Sequence, residues 1–172
     1  EGKLLWSRDL GDSVDGRPAL DSEVLYVQSW SREVFALNRN DGSLLWRFAY
    51  PPSPADDHRQ AGVVLAGDLL LVPAWNGTLY ALDRETGLPR WQKAAGFPLR
   101  AAPAWDGRQI YLSSASGELT ILNIDGTLVK KVTFDAPLLT TPALTPDGLV
   151  VLTRDGHIVS LDGEGSVLWT LA

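Results

Sequence analysis

The chain has 172 residues, 45% of them hydrophobic, enough apolar material for one folded domain and too much for a disordered tail. A formal charge of -6 and a pI near 4.8 exclude strongly anionic partners such as nucleic acid or an acidic lipid surface, because phosphate binding needs clustered Lys and Arg. The absence of Cys excludes disulfides, thiolate metal sites and Cys nucleophiles, and no apolar run approaches the roughly 18 residues of a membrane-spanning helix.

Taken in chain order, the predicted elements repeat. The first six residues do not resemble a signal peptide and the chain contains no Met, so the sequence reads as a processed chain or an excised segment. Gly2-Lys3-Leu4-Leu5-Trp6 matches Gly42-Ser43-Leu44-Leu45-Trp46 and Gly165-Ser166-Val167-Leu168-Trp169, which predicts that 2–10 is the outer strand of a preceding unit. Four units follow, at approximately 11–50, 58–95, 98–134 and 137–172. Each opens on a short first strand (Pro18-Ala19-Leu20, Pro103-Ala104-Trp105, Pro142-Ala143-Leu144) and continues in an apolar second strand at 24–27, 69–72, 110–112 or 149–152. A third strand ends on Leu37, Leu82, Leu122 or Leu161, and a fourth carries Trp46, Trp91, Lys130 or Trp169.

Turn chemistry separates the strands. Asp41-Gly42, Thr86-Gly87, Asp125-Gly126 and Glu164-Gly165 divide third from fourth, while Asn76-Gly77, Ser116-Gly117 and Asp155-Gly156 divide second from third. A period near 40 residues with four short strands per unit predicts an all-β fold, a β-propeller of four-stranded antiparallel blades. The second strands are apolar at nearly every position, as suits strands covered on both faces by neighbouring blades. Five outer strands against four of every other kind predict an open arc whose apolar end faces associate. The alternative is a closed four-bladed ring with 2–10 as a displaced strand.

Ala81-Leu82-Asp83-Arg84-Glu85-Thr86-Gly87-Leu88-Pro89-Arg90-Trp91 resembles the tryptophan-docking motif of quinoprotein-like (PQQ-like) propeller repeats, and Ala36-Leu37-Asn38-Arg39-Asn40-Asp41-Gly42-Ser43-Leu44-Leu45-Trp46 is a second copy. The resemblance covers essentially the whole chain. It implies that Trp6, Trp46, Trp91 and Trp169 stack between a neighbouring blade's Ala and its Gly-containing turn and lock the blades together. It also implies a larger ring of about eight blades, of which these residues are about half. Lys130 in a Trp position and Ser160 in an Ala position depart from the motif, so weaker docking is expected around those blades.

The resemblance also implies two kinds of function. Quinone-dependent dehydrogenases of this repeat type carry a vicinal Cys pair over the cofactor and Glu, Asn and Asp around a calcium ion. This chain has no Cys, and no carboxylates that can be placed together on the ring axis. His58 and His157 have no metal-ligand spacing, and the 38–42 turn lacks the acidic spacing and closing Glu of a calcium loop. The expectation is a noncatalytic scaffold for protein–protein interaction, without cofactor or metal, similar to the propeller lipoprotein of outer-membrane protein assembly. The alternatives are part of a quinone-dependent dehydrogenase and the ligand-sensing domain of a membrane kinase. An extracytoplasmic setting in periplasm, envelope or cell surface is implied with the family. A protein, or the remaining blades of the same propeller, is then the expected partner, with no direct membrane insertion.

Loops that vary on one face of a repeat protein usually carry its binding function. The second-to-third turns and the blade-to-blade connections share such a face, and the connection at 49–60 supplies most of the extra length of the first repeat step. The expected partner patch therefore comprises Trp30, Arg32 and Trp75 from two turns, with Tyr50, Asp56, Asp57, His58 and Arg59 from that connection.

Overall fold

A computed structural model describes residues 2–52 and 61–172. Blade one consists of β1 (Ala19–Leu20), β2 (Val24–Gln28), β3 (Glu33–Asn38) and β4 (Leu44–Ala49). Blade two consists of β5 (Val64–Ala66), β6 (Leu69–Pro73), β7 (Thr78–Asp83) and β8 (Pro89–Ala94), and blade three of β9 (Ala104–Trp105), β10 (Gln109–Ser113), β11 (Glu118–Asn123) and β12 (Leu128–Thr133). Blade four consists of β13 (Ala143–Thr145), β14 (Gly148–Leu152), β15 (Ile158–Leu161) and β16 (Val167–Leu171). Each is a separate antiparallel sheet whose strands pair in chain order. Among the described residues this is the expected all-β arrangement of four four-stranded blades.

The continuous apolar character of the second strands is explained by burial on both sides. In blade two, Leu70, Val72, Tyr80 and Leu82 pack against Tyr26, Val34 and Ala36 of blade one. The alternating residues Leu71, Leu79 and Ala81 pack against Ile110, Leu112 and Leu122 of blade three. Tyr111, Leu119 and Ile121 on the far side of blade three meet Leu149, Val151, Val159 and Leu161 of blade four. The period-two rule of a strand is thus obeyed with both faces apolar. Each sheet is the filling of one contact and the wall of the next.

Outer strands lock the stack. Trp46 Nε1 donates to the Arg84 carbonyl at 3.0 Å and Trp91 Nε1 to the Ile124 carbonyl at 3.0 Å, in each case on the third-to-fourth turn of the next blade. A Cβ on Gly87 or Gly126 would lie 2.6 or 2.9 Å from the docked ring, so these turns need Gly for room as well as for positive φ. Ala36 and Ala81 lie directly across the ladder from Trp46 and Trp91. In every blade the register shifts immediately after this pair, a bulge that re-aims the outer strand and has no signal in the sequence. In blade three Lys130 stands opposite Ile121, and its ammonium donates to the Gly165 carbonyl at 3.3 Å. Ile121 and Val132 fill the space over Gly165 that an indole occupies elsewhere.

One expectation changes and one alternative is set aside. Residues 2–10 form no strand, because no third strand among the described residues offers them a ladder. They lie against blade one nonetheless, with Trp6 Nε1 donating to the Arg39 carbonyl at 2.7 Å and Arg8 to the Gly42 carbonyl at 2.9 Å. The closed four-bladed ring is not adopted, since Trp169 is 50% exposed and Leu171 59% on the outer side of blade four. The four blades form an open arc.

Candidate functional site

The face formed by second-to-third turns and blade-to-blade connections is built by one recurring hydrogen-bond pattern. Arg32 N–H donates to the Ser29 carbonyl, as Gly77 does to Ala74, Gly117 to Ser114 and Gly156 to Thr153. The carbonyl of the same residue then receives the outgoing connection: Tyr50 N–H on Arg32 at 3.1 Å, Ala95 on Gly77 at 2.7 Å and Phe134 on Gly117 at 2.8 Å. The fold requires a left-handed residue here, with φ of 78°, 83° and 99° at the three glycines. Arg32 holds the same place at φ 65°, the one non-Gly residue with positive φ among those described. An L-residue with a Cβ pays about 1–2 kcal/mol for that conformation.

The expected patch is divided by the structure. Trp75 is 2% exposed, with the Arg100 guanidinium 4.7 Å over its ring, and its Nε1 finds no acceptor among the described residues. It is a packing residue, not a presented anchor. Tyr50 is likewise buried, at 4% exposure; it stacks on Tyr80 at 5.7 Å and its hydroxyl accepts from the buried Gln28 amide at 2.9 Å. Trp75 is covered by Arg100 from the following connection, whereas Tyr50 packs with Val34, Val72 and Tyr80 where blades one and two meet. Trp30 is only partly buried, its N–H donating to the Ser13 carbonyl at 2.9 Å, and Arg32 is partly exposed beside it. Asp56, Asp57, His58 and Arg59 lie outside the described residues.

The opposite face carries a device that sequence reading missed. Asp21 accepts from the Glu23 and Val24 N–H groups and from the Tyr26 hydroxyl, which also reaches the Arg84 carbonyl of blade two. Asp106 and Tyr111 repeat this corner in blade three, where the hydroxyl reaches the Gly163 carbonyl of blade four. Burial opposes ionisation of Asp106, yet the Gln109 N–H, the Tyr111 hydroxyl and the Arg108 N–H outweigh it and hold the carboxyl below its usual range. Burial, and then the Asp21 carboxylate, push the Tyr26 hydroxyl up to about 12. An Asp five residues before a Tyr in alternate repeats was the available signal.

Beside the second corner, the Lys130 junction leaves a cleft of about 520 Å³ lined by Asp106, Arg108, Gln109, Asn123, Lys130 and Glu164. The equivalent junction of blades one and two, filled by Trp46, leaves about 180 Å³. The first strands line a groove of about 580 Å³ at the axis, where Pro18, Leu20, Val64, Leu65 and Pro103 predominate and Arg17 carries the charge. Among the described residues no group of three or more His, Asp or Glu could hold a metal ion.

The same arrangement of blades is found in known proteins. The sequence profile of the family described as outer membrane protein assembly factor BamB matches residues 1–130 and 76–172. This chain belongs to that family. The BamB of Alkalilimnicola ehrlichii is 29% identical over 129 residues, which cover 72% of this chain and 31% of that protein. The crystal structure of BamB from Moraxella catarrhalis superposes with a TM-score of 0.83 at 20% identity, over 99% of this chain and 55% of that one. Two further structures share the fold alone. Quinohemoprotein alcohol dehydrogenase from Comamonas testosteroni has a TM-score of 0.78 at 16% identity over 93% of this chain and 35% of its own length. The computationally designed Ika8 protein has a TM-score of 0.82 at 15% identity, over 98% and 52%. The chain thus spans about half of the BamB structure it superposes on, and a third of the curated BamB sequence.

Proposed function

We propose that this member of the BamB family is a noncatalytic propeller scaffold that binds a protein partner in outer-membrane protein assembly, in the extracytoplasmic space of a bacterium. The binding face is that of the second-to-third turns, centred on Trp30 and Arg32. The observation that supports it is Arg32 itself. Three equivalent turns use Gly at this left-handed position, where a Cβ is disfavoured, so the backbone geometry of the turn does not call for an Arg. Arg and Trp side by side are also the residue types enriched among interface anchors. The membership of the family supports the assembly role; the axial groove, apolar apart from Arg17 and Thr141, supports a platform over a catalyst.

Site-specific photocrosslinking tests the reading. A crosslinking residue at position 30 or 32, in the protein expressed in a Gram-negative host, should capture a component of the outer-membrane assembly machinery, identified by mass spectrometry. The same residue at Leu128, on an exposed outer strand, should capture none. Equal capture from all three positions, or none from 30 and 32, would dismiss this face.

A further inference from the structure

We propose that the cleft at the junction of blades three and four binds a peptide through one carboxylate, held by Arg108, Gln109 and Lys130, on the face opposite Trp30 and Arg32. This junction departs from its counterpart between blades one and two at three places. Arg108 stands where Glu23 stands, Gln109 where Val24 stands and Lys130 where Trp46 stands. An acidic and apolar junction closed by an indole thus becomes a cationic and open one, with a cleft of about 520 Å³ against about 180 Å³. Gln109 opens β10 with 7% of its surface exposed, at the position where the first two blades place Val24 and Leu69. Its Oε1 accepts from the Tyr111 hydroxyl at 3.3 Å, but no acceptor among the described residues receives its amide N–H groups, and the side chain lines the cleft. A buried donor without an acceptor weakens a fold, and a ligand oxygen in the cleft removes that cost.

The charges around Gln109 are placed for the same ligand. The Arg108 guanidinium makes no hydrogen bond or ion pair among the described residues. Asp106, its nearest acid in sequence, is already spent: Oδ1 accepts from the Arg108 and Gln109 N–H groups at 2.7 and 2.6 Å, and Oδ2 from the Tyr111 hydroxyl at 2.7 Å. The Lys130 ammonium commits one of its three donors, to the Gly165 carbonyl. A guanidinium and a primary amide are planar donors, and their shape matches the two coplanar oxygens of a carboxylate. Asp106 and Glu164 in the same wall balance the two cations, which favours a singly charged group over a phosphate dianion. The rest of the cleft selects a peptide over a bare anion. The Gly163 carbonyl receives the Tyr111 hydroxyl alone, at 3.4 Å, whereas its counterpart on Arg84 also receives the Trp46 indole; it is free to accept a peptide N–H. Val129 adds an apolar wall, and about 520 Å³ lies within the range of small-ligand sites and exceeds what a carboxylate alone fills.

Nuclear magnetic resonance on isotope-labelled protein tests this, because the Gln109 side-chain amide reports on the cleft directly and is assigned by its absence from Gln109→Leu. The probes are acetyl-Gly-Glu-Gly-amide, with an acidic side chain, acetyl-Gly-Gly-Gly with a free chain end, the neutral acetyl-Gly-Gln-Gly-amide, and inorganic phosphate. At least one acidic peptide should move the Gln109 resonance and saturate with a Kd of about 1 mM, and the tighter of the two tells side chain from chain end. Arg108→Glu and Gln109→Leu install the residue types of Glu23 and Leu69, which the fold already carries at the same places, and circular dichroism checks that both variants fold. Each should weaken the binding at least about tenfold, read for Gln109→Leu from the Arg108 and Gly163 backbone amides. The proposal is overturned by a Gln109 resonance that neither acidic peptide moves, by a neutral peptide or phosphate that binds as tightly as the better acidic peptide, or by a folded variant that binds like its parent.

Discussion

Arg32 concentrates the tension between fold and function in one dihedral angle. Its φ of 65° is what the turn demands, and the other turns meet the demand with Gly. Replacing Arg32 by Gly should therefore raise stability by about 0.5–1 kcal/mol in urea unfolding, while removing the crosslink to a partner. A loss of stability would mean that Arg32 serves the fold. Asp106 makes the opposite kind of contribution, with a carboxyl whose pKa is depressed in the folded state. Its stabilisation is complete above the unfolded pKa, about 4, and is lost as pH falls through the folded value. Asp106→Asn should thus lower the melting temperature at pH 7 and leave a flatter curve below about pH 4. Tyr26 acts at the other end of the scale. Its hydroxyl is raised to about 12, so its contribution is whole below pH ~10 and disappears as pH rises through about 12.

At the scale of the element, the outer strand matters through what its central residue meets. Trp91 is partly buried and hydrogen-bonded on the next blade, so Trp91→Ala should cost about 2–3 kcal/mol, less than the 3–5 of a fully buried ring. Trp169→Ala should cost less, about 1–2 kcal/mol, because the residue is already 50% exposed. Chemical denaturation of the two variants separates them. The third junction is a matched pair: small Ala faces Trp in blades one and two, and bulky Ile121 faces Lys130 in blade three. Lys130→Trp alone should destabilise, since Ile121 and Val132 occupy the space above Gly165. Adding Ile121→Ala should recover it, with a favourable coupling of about 1 kcal/mol in a double-mutant cycle.

The whole molecule is a one-dimensional stack, and its stability should be graded along the stack. Blade two is packed on both faces and blade four on one. Hydrogen exchange should therefore show the slowest amides in β6 and β7 and early exchange in β16 and residues 2–10. Uniform protection across the four blades would contradict an open arc.

The repeat was legible in the sequence because each of its parts has a local cause. Glycine where φ is positive, an apolar run where both faces are covered and a Trp at a fixed distance past the turn are properties of neighbouring residues, and they placed the strands of blades one to four to within a few positions, except the first strand of blade two, Val64–Ala66. The fate of Trp30 and Trp75 was not legible, since both sit in turns of the same pattern. Trp75 is covered, with Arg100 over its ring from 25 residues downstream, whereas Trp30 is only partly buried. Tyr50 went inward through a Gln28 and a Tyr80 that adjoin it only after the blades stack. Residues 2–10 have the sequence of a strand and no ladder, because a strand is completed by a neighbour and not by its own residues. The sequence by itself determined the blades, since hydrophobic period and turn geometry act over a few residues. The tertiary structure alone decided which rings are buried, how Lys130 changes a junction and which face stays open, since each depends on what the next blade brings.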